Sequence, residues 1–447
     1  GERDGLDAYA ATARLGVRPD PDSRIELLLR WRENRTELDD APSGRVDDPN
    51  YTGDDRRWFG QLRGETMLFD GIWTTGLRLA VNNDRRRYLN LPDTLNPNLQ
   101  DDLNRGERQT VDWGNRVLLG DAGALADIAL AFGVTHDRET IDSRSRFGSP
   151  NFQSAGAVRE GADATALHTG LQGRVLERLD LSAGLRHDQA EDFDSFTSWR
   201  AGAVLAVPEW ASRLRLSAGT AFKAPSLDQR FGATSGSFLG FPTQFRGNPD
   251  LRPERSFTWE IGSETDIALF DRADFLTFGA TWFQSRYTDL IAFSAGGDTL
   301  ENVARARMQG AELSLTMRPA SWLDATAAWT ITEARDLDRD RPLARRPRNM
   351  VSAIARIAAT DRLVVVPELF FTGPSPEYAS YSDDNTPSFS RSYNSAGTVA
   401  NLTATYRVTQ GVSAFVEGRN LTNSRYEPAN GYVIAGRWVL VGTRFVF

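Results

Sequence analysis

Apolar and polar residues alternate with a period of two from one end of this 447-residue chain to the other. Ile25, Leu27, Leu29 and Trp31 alternate with Arg24, Glu26, Arg30 and Arg32, and Leu179, Leu181, Ala183 and Leu185 with Asp180, Ser182, Gly184 and Arg186. The same holds for Leu214, Leu216, Ala218 and Phe222 against Arg213, Arg215, Ser217 and Lys223, and for Leu323, Ala325, Ala327 and Trp329 against Asp324, Thr326 and Thr330. Period two is the mark of strands with one apolar and one polar face. The segments run for about 10 to 15 residues, whereas soluble strands average about 5–6 and a tilted strand needs about 9–11 to cross the hydrocarbon of a bilayer.

About 19 such segments can be counted, with 105–119, 125–140, 163–175 and 273–289 among them. Their connections alternate in length. Short turns at 18–22, 70–71, 120–124, 208–211, 271–273, 318–321 and 409–411 take turns with longer loops at 39–54, 87–104, 141–162, 223–255, 290–297, 337–345, 373–392 and 426–434. Only 191–193 breaks the pattern. Short turns on one rim and long loops on the other is the layout of an outer-membrane β-barrel, short on the periplasmic side and long on the extracellular side. Leu276, Phe278, Ala280 and Trp282 would also suit a sandwich core, but a sandwich or propeller needs neither strands this long nor loops on one side, and no fixed repeat is visible.

The expected fold is therefore all-β, one antiparallel transmembrane barrel. Counting back from a last strand that runs into the periplasm puts residue 1 on the extracellular rim, although single-chain barrels have an even strand number and start in the periplasm. The expectation is that residues 1–447 form a partial barrel, with about 19 strands present of an expected 22.

The remaining composition excludes alternatives. The longest apolar runs, such as 363–367, fall far short of a spanning helix. There is no cysteine for a disulfide framework or a thiolate site, and His136, His168 and His187 lack metal-ligand spacing. A net charge of −8 argues against nucleic acid. No nucleophile elbow, phosphate loop or zinc motif occurs, so no enzyme is expected. The final RWVLVGTRFVF puts Val439, Val441, Phe445 and Phe447 on one face. It resembles the sorting signal read by the barrel-assembly machinery.

Four stretches carry a resemblance: SAGTAFKAPSLDQRFG (217–232) with GNPDLRPERSFTWEIG (247–262), NVARARMQGAELSL (302–315), PLARRPRN (342–349) and GRNLTNSRYEPANGYVIAGRW (418–438). Together they resemble the TonB-dependent receptor family, and within it the vitamin B12 (cobalamin) receptors. The resemblance begins at Asp4-Gly5, so the family's plug domain and first strands have no counterpart in the sequence. It implies active uptake of a scarce, large ligand, cobalamin first, with an iron siderophore as the alternative and a passive diffusion porin as the more distant one. It also implies a monomer in the bacterial outer membrane, surrounded by lipid and driven by the TonB complex through a plug.

The resemblance further implies calcium as a cofactor ordering the extracellular loops, held by Glu2, Asp4 and Asp39. From the residues themselves, Asp39, Asp40, Asp47, Asp48, Asp54 and Asp55 lie together on a loop rich in proline and glycine, where hard oxygen ligands suit calcium. A solvated acidic loop is the other reading. The metal candidates are thus Glu2, Asp4, Asp39, Asp40, Asp47 and Asp54. For the ligand, the resemblance points to Arg345 of the Arg-Arg pair and to Tyr378 and Tyr381. An arginine fork and aromatic faces suit an amide-fringed, phosphate-bearing molecule, while rim arginines holding the barrel mouth would look the same.

Overall fold

The computed structural model describes residues 5–38, 48, 50–94, 96–149, 152–191, 193–238, 241–294, 298–377, 380–381, 387–388, 393–429 and 433–446. Among them are 19 long strands. The first ten are β1 (Leu6–Asp20), β2 (Ser23–Glu37), β3 (Thr52–Leu68), β4 (Trp73–Asn90), β5 (Leu99–Ala122), β6 (Leu125–Gly148), β7 (Phe152–Val175), β8 (Leu179–Ala190), β9 (Phe196–Val207) and β10 (Ser212–Lys223). After a long connection come β11 (Glu254–Leu269), β12 (Arg272–Phe293), β13 (Leu300–Ala320), β14 (Leu323–Asp336), β15 (Asn349–Ala358) and β16 (Leu363–Thr372). The last three are β17 (Gly397–Arg407), β18 (Val412–Arg419) and β19 (Trp438–Phe445).

The chain divides into two compact units, one of residues 1–201, 219–256 and 287–304, the other of 202–218, 257–286 and 305–447. In the first unit β1 to β8 form a meander in which each strand pairs antiparallel with the next. In the second, β13 to β19 do the same.

Local chemistry sets the short turns. Phe69 and Asp70 both have left-handed φ (55° and 54°), as do Leu176 and Glu177 (49° and 60°) and Phe270 and Asp271 (53° and 59°). Two successive left-handed residues give a primed turn, whose twist matches that of the strands it joins. Between β1 and β2 the Asp22 amide donates to Asp20 Oδ1 at 2.9 Å, a side chain standing in for a backbone turn.

The strands differ from the sequence expectation in length. The segments expected as loops 87–104 and 141–162 are largely strand. The β4–β5 ladder runs from Trp73 opposite Val117 to Asn90 opposite Gln100, and β6–β7 from Leu125 opposite Val175 to Gly148 opposite Gln153. Consequently β5, β6 and β7 each hold 24 residues, more than twice what a membrane crossing needs. Beyond the lipid both faces of a strand meet polar surroundings, so the period-two signal fades while the backbone ladder continues. Arg87 Nε donates to Asp101 at 3.0 Å and bridges β4 to β5 there.

The expected loop 223–255 is also folded. It opens with the short helix α1 (Leu227–Phe231), started by a capping box in which Ser226 Oγ accepts from the Gln229 amide and Gln229 Oε1 accepts from the Ser226 amide. A hairpin follows, Ala233–Phe238 against Phe241–Arg246, and its first arm extends the sheet beside β7. Gly247 closes the loop. A Cβ there would stand 2.7 Å from the backbone C and O of Arg230, which explains a glycine at the head of GNPDLRPERS. Asn302 ties the block to its neighbours, donating to the Arg252 and Asp289 carbonyls while accepting from the Arg252 amide.

In the second unit Asn420 plays a similar part. It is 4% exposed, donates to the carbonyls of Ser424 and Ala435, accepts from the Ser424 amide, and gives its own amide proton to Asn401 Oδ1. The motifs that carry the resemblance are thus largely knots of hydrogen bonds that fix loops to strand ends.

Candidate ligand-binding rim

In the second unit, the connection after β14 and the one after β16 meet at Arg345. Its backbone is left-handed (φ 56°) and its amide donates to the Pro376 carbonyl at 2.8 Å. Its guanidinium donates through Nε to Glu377 at 3.0 Å. Glu377 is 2% exposed and also accepts from Asn394 Nδ2, while Asn394 Oδ1 is buried without a hydrogen-bond partner among the described residues. Arg345 itself is half exposed. Its Nε therefore secures the base of the 373–394 connection while the side chain stays half exposed. Tyr381 lies in the short strand Ser380–Tyr381, opposite Pro387. Tyr378 lies outside the described residues. The structure thus brings Arg345 to Pro376 and Glu377, which precede Tyr378 in the sequence, as an anchor of that segment.

Of the metal candidates, Glu2, Asp4, Asp39, Asp40 and Asp47 lie outside the described residues. Asp54 is in β3, exposed, opposite Arg35 on β2 and Arg87 on β4, on the same face as Arg56 and Trp58. Among the described residues no group of three or more His, Cys, Asp or Glu side chains gathers as a metal site.

A different oxygen cluster exists in the first unit. Asp48 is 2% exposed, and its Oδ2 accepts from Asn90 Nδ2 and Asn96 Nδ2, both at 2.6 Å. Its Oδ1, and Oδ1 of the equally buried Asn90, have no hydrogen-bond partner among the described residues. Asn50 supports the cluster from the side, donating to Asp93 at 2.8 Å and accepting from the Leu91 amide. A buried carboxylate oxygen and a buried amide oxygen without donors leave desolvation uncompensated, and both are the ligand type a hard cation takes. Asp48 was visible in the sequence as one of the loop acids, whereas Asn90 and Asn96 were not singled out. The signal for them was the Asn-Leu-Pro-Asp-Thr-Leu-Asn-Pro-Asn run at 90–98, whose asparagines and aspartate make side-chain turns: the Asn96 amide donates to Asp93 Oδ1, and the Asn98 amide to Asn96 Oδ1.

Outside the rim the strands show one exposed apolar face. Leu15, Leu29, Leu62, Leu77, Leu79, Trp113, Leu167 and Leu171 are each 41–64% exposed. A soluble protein rarely exposes so continuous an apolar surface, while lipid requires it. The profile of the family described as "TonB dependent receptor-like, beta-barrel" matches residues 2–421. The chain belongs to this family.

Receptors of known structure share its fold. The ferric-catecholate import receptor Fiu from E. coli K12 aligns over 100% of this chain and 75% of its own, at a TM-score of 0.77 and 15% identity. FpvA from P. aeruginosa, solved with bound pyoverdines, aligns over 98% of this chain and 65% of its own, at 0.75 and 13%. The ferric yersiniabactin uptake receptor FyuA from Yersinia pestis aligns over 99% and 71%, at 0.73 and 16%. This chain therefore spans between about two thirds and three quarters of the length of such receptors. The structural relatives are siderophore receptors, in contrast to the cobalamin receptors that the sequence motifs suggested. Family membership places the protein in the bacterial outer membrane, among transport receptors and not enzymes.

Proposed function

We propose that this TonB-dependent receptor barrel serves active uptake of a ferric siderophore captured at its extracellular rim. The supporting observation is the agreement in fold, over nearly the whole chain, with import receptors for ferric catecholate, pyoverdine and ferric yersiniabactin. In this reading a plug and TonB provide gated passage in the complete receptor, which works as a monomer after insertion by the barrel-assembly machinery. Arg345 anchors the 373–394 connection, which carries the aromatic candidates Tyr378 and Tyr381, and its half-exposed guanidinium meets anionic iron-chelating oxygens.

Cobalamin is the second reading, favoured by one observation. The unpartnered oxygens of Asp48 and Asn90 suit a calcium ion, and they lie in the same part of the chain as the calcium ligands implied by the motif resemblance. A cation there would link the connection around residue 48 to the one around residues 90–96.

The test is ligand binding by the full-length receptor in detergent, with a ferric catecholate, a ferric hydroxamate and cyanocobalamin, each with and without chelator. Tight binding of a ferric siderophore with no cobalamin binding is the expected result, and Arg345→Ala should weaken it at least tenfold, the effect of about 1.4 kcal/mol. Cobalamin binding that is lost in chelator and in Asp48→Asn would replace the siderophore with the second reading. Binding of neither, with passive flux of small solutes, would remove the receptor reading itself.

A further inference from the structure

Above the apolar band of the first unit, arginines stand side by side on one face. Arg56 on β3 lies directly opposite Arg85 on β4, and Arg85 directly opposite Arg105 on β5. By strand parity they share their face with Trp58 and Leu62, with Leu77 and Leu79, and with Val111 and Trp113, all of them exposed. This is the lipid-facing side. The acidic residues Glu33, opposite Arg56 at 2.7 Å, and Asp142, opposite Arg105 at 3.9 Å, flank the row. Between them Arg85 has neither an ion pair nor a hydrogen bond among the described residues.

Like charges directly opposite one another destabilise a sheet. In an acidic chain of net charge −8, three adjoining arginines are no accident of overall positivity. Their height is informative. Arg56 is the next residue on its face beyond Trp58, and Trp58 stands opposite Trp31, an aromatic pair of the kind that marks the membrane interface. Since the turn at 69–72 between β3 and β4 belongs to the short, periplasmic set, the arginine end of these strands is the extracellular end, at the level of the outer-leaflet headgroups.

We propose that Arg56, Arg85 and Arg105 form a binding surface for the phosphate groups of a phosphorylated glycolipid in the outer leaflet. The acyl chains of that lipid lie along the apolar face below, at Leu62, Leu77, Leu79 and Val111. Guanidinium forks on neighbouring strands stand about 4.5–5.5 Å apart at Cβ, so a single phosphate can bridge two of them and relieve their repulsion. A soluble anionic ligand is the weaker match, because it would gain nothing from the adjoining apolar face.

Native mass spectrometry of the full-length receptor in detergent tests this, with diphosphoryl lipid A, monophosphoryl lipid A, a zwitterionic phospholipid and inorganic phosphate as probes. Diphosphoryl lipid A should bind best, and the double variant Arg85→Gln/Arg105→Gln should lose about five- to tenfold in affinity for it, the scale of two exposed charge-assisted contacts. Arg24→Gln, beside the opposite rim, should leave binding unchanged. Should the double variant not fold, Arg85→Gln alone decides, since Arg85 has no ion pair or hydrogen bond among the described residues to lose. Equal binding by wild type and variants, or equal binding of the zwitterionic lipid, would overturn the proposal. So would phosphate that competes fully with the lipid, which would make the row a plain anion site.

Discussion

Strands β5, β6 and β7 follow two rules along their length. Toward the periplasmic end, Trp113, Val134 and Leu167 stand opposite one another on an apolar face, while on the other face Thr135 donates to Asp112 at 2.6 Å. Toward the extracellular end, Arg105, Asp142 and Arg159 stand opposite one another on the first face, and Asp102 and Ser145 are hydrogen-bonded on the second. The backbone ladder is the same in both regions. What changes is the medium: lipid demands apolar side chains on its side, whereas water accepts charge on either side and the ladder needs neither. The comparison teaches that side-chain pattern reports the solvent of a strand more than its existence.

The largest effect that would sharpen the contrast is a charge in the apolar band. Leu77→Arg, at its centre on β4, should cost about 2–4 kcal/mol in reversible urea unfolding from bilayers, while Thr140→Arg, on the same face of β6 in the extracellular part, should cost less than about 1 kcal/mol. Equal costs would break the distinction between the two regions. Next in size is Asn420→Ala, which removes a buried side chain holding several backbone groups. About 1–3 kcal/mol should be lost, with faster proteolysis between residues 420 and 437. A neutral result would show that the polar knots at loop bases matter less than lipid-side packing.

The smallest effect concerns the exposed connection after β14. The Arg305 guanidinium, hydrogen-bonded to the Asp338 carboxylate at 2.8 Å, holds that carboxyl below its usual range, helped by the Arg305 amide at 2.7 Å. A depressed carboxyl contributes its hold in full above the unfolded pKa and loses it as pH falls through the folded one. Amide exchange at Leu337, which donates to the Arg305 carbonyl, should therefore quicken only when pH drops below the ordinary aspartate range. Exchange that is flat through that range would place the hold in the backbone alone.

These contrasts also explain what was legible in the sequence. Wherever one face meets lipid, the alternation of residues such as Leu27, Leu29 and Trp31 located the strand. The upper parts of β5 to β7 read as loops because residues such as Asp101 and Asp102, Arg144 and Arg146, and Arg159 and Glu160 carry no period to read. The two-residue turns were visible, yet their left-handed Phe69 and Phe270 follow no composition rule for such turns. At the rim, Arg345 was found through its motif, but its tie to Glu377 depends on chain segments that only the fold brings together. Asn90 and Asn96 escaped notice because an asparagine's part in a buried cluster depends on where Asp48 comes to lie.

Between β4 and β5, whose connection at 91–98 is on the extracellular side, residues pair one to one from Trp73 opposite Val117 to Asn90 opposite Gln100, without a bulge. Such a hairpin can be lengthened like a telescoping mast. Two residues inserted in each arm near the tip raise it by about 7 Å and return every side chain below to its own side, whereas a single insertion in one arm swaps the sides of all that follows. Variation in reach is therefore open to this lineage in steps of two, and a family of such proteins could sample ligands of different size with the membrane belt untouched.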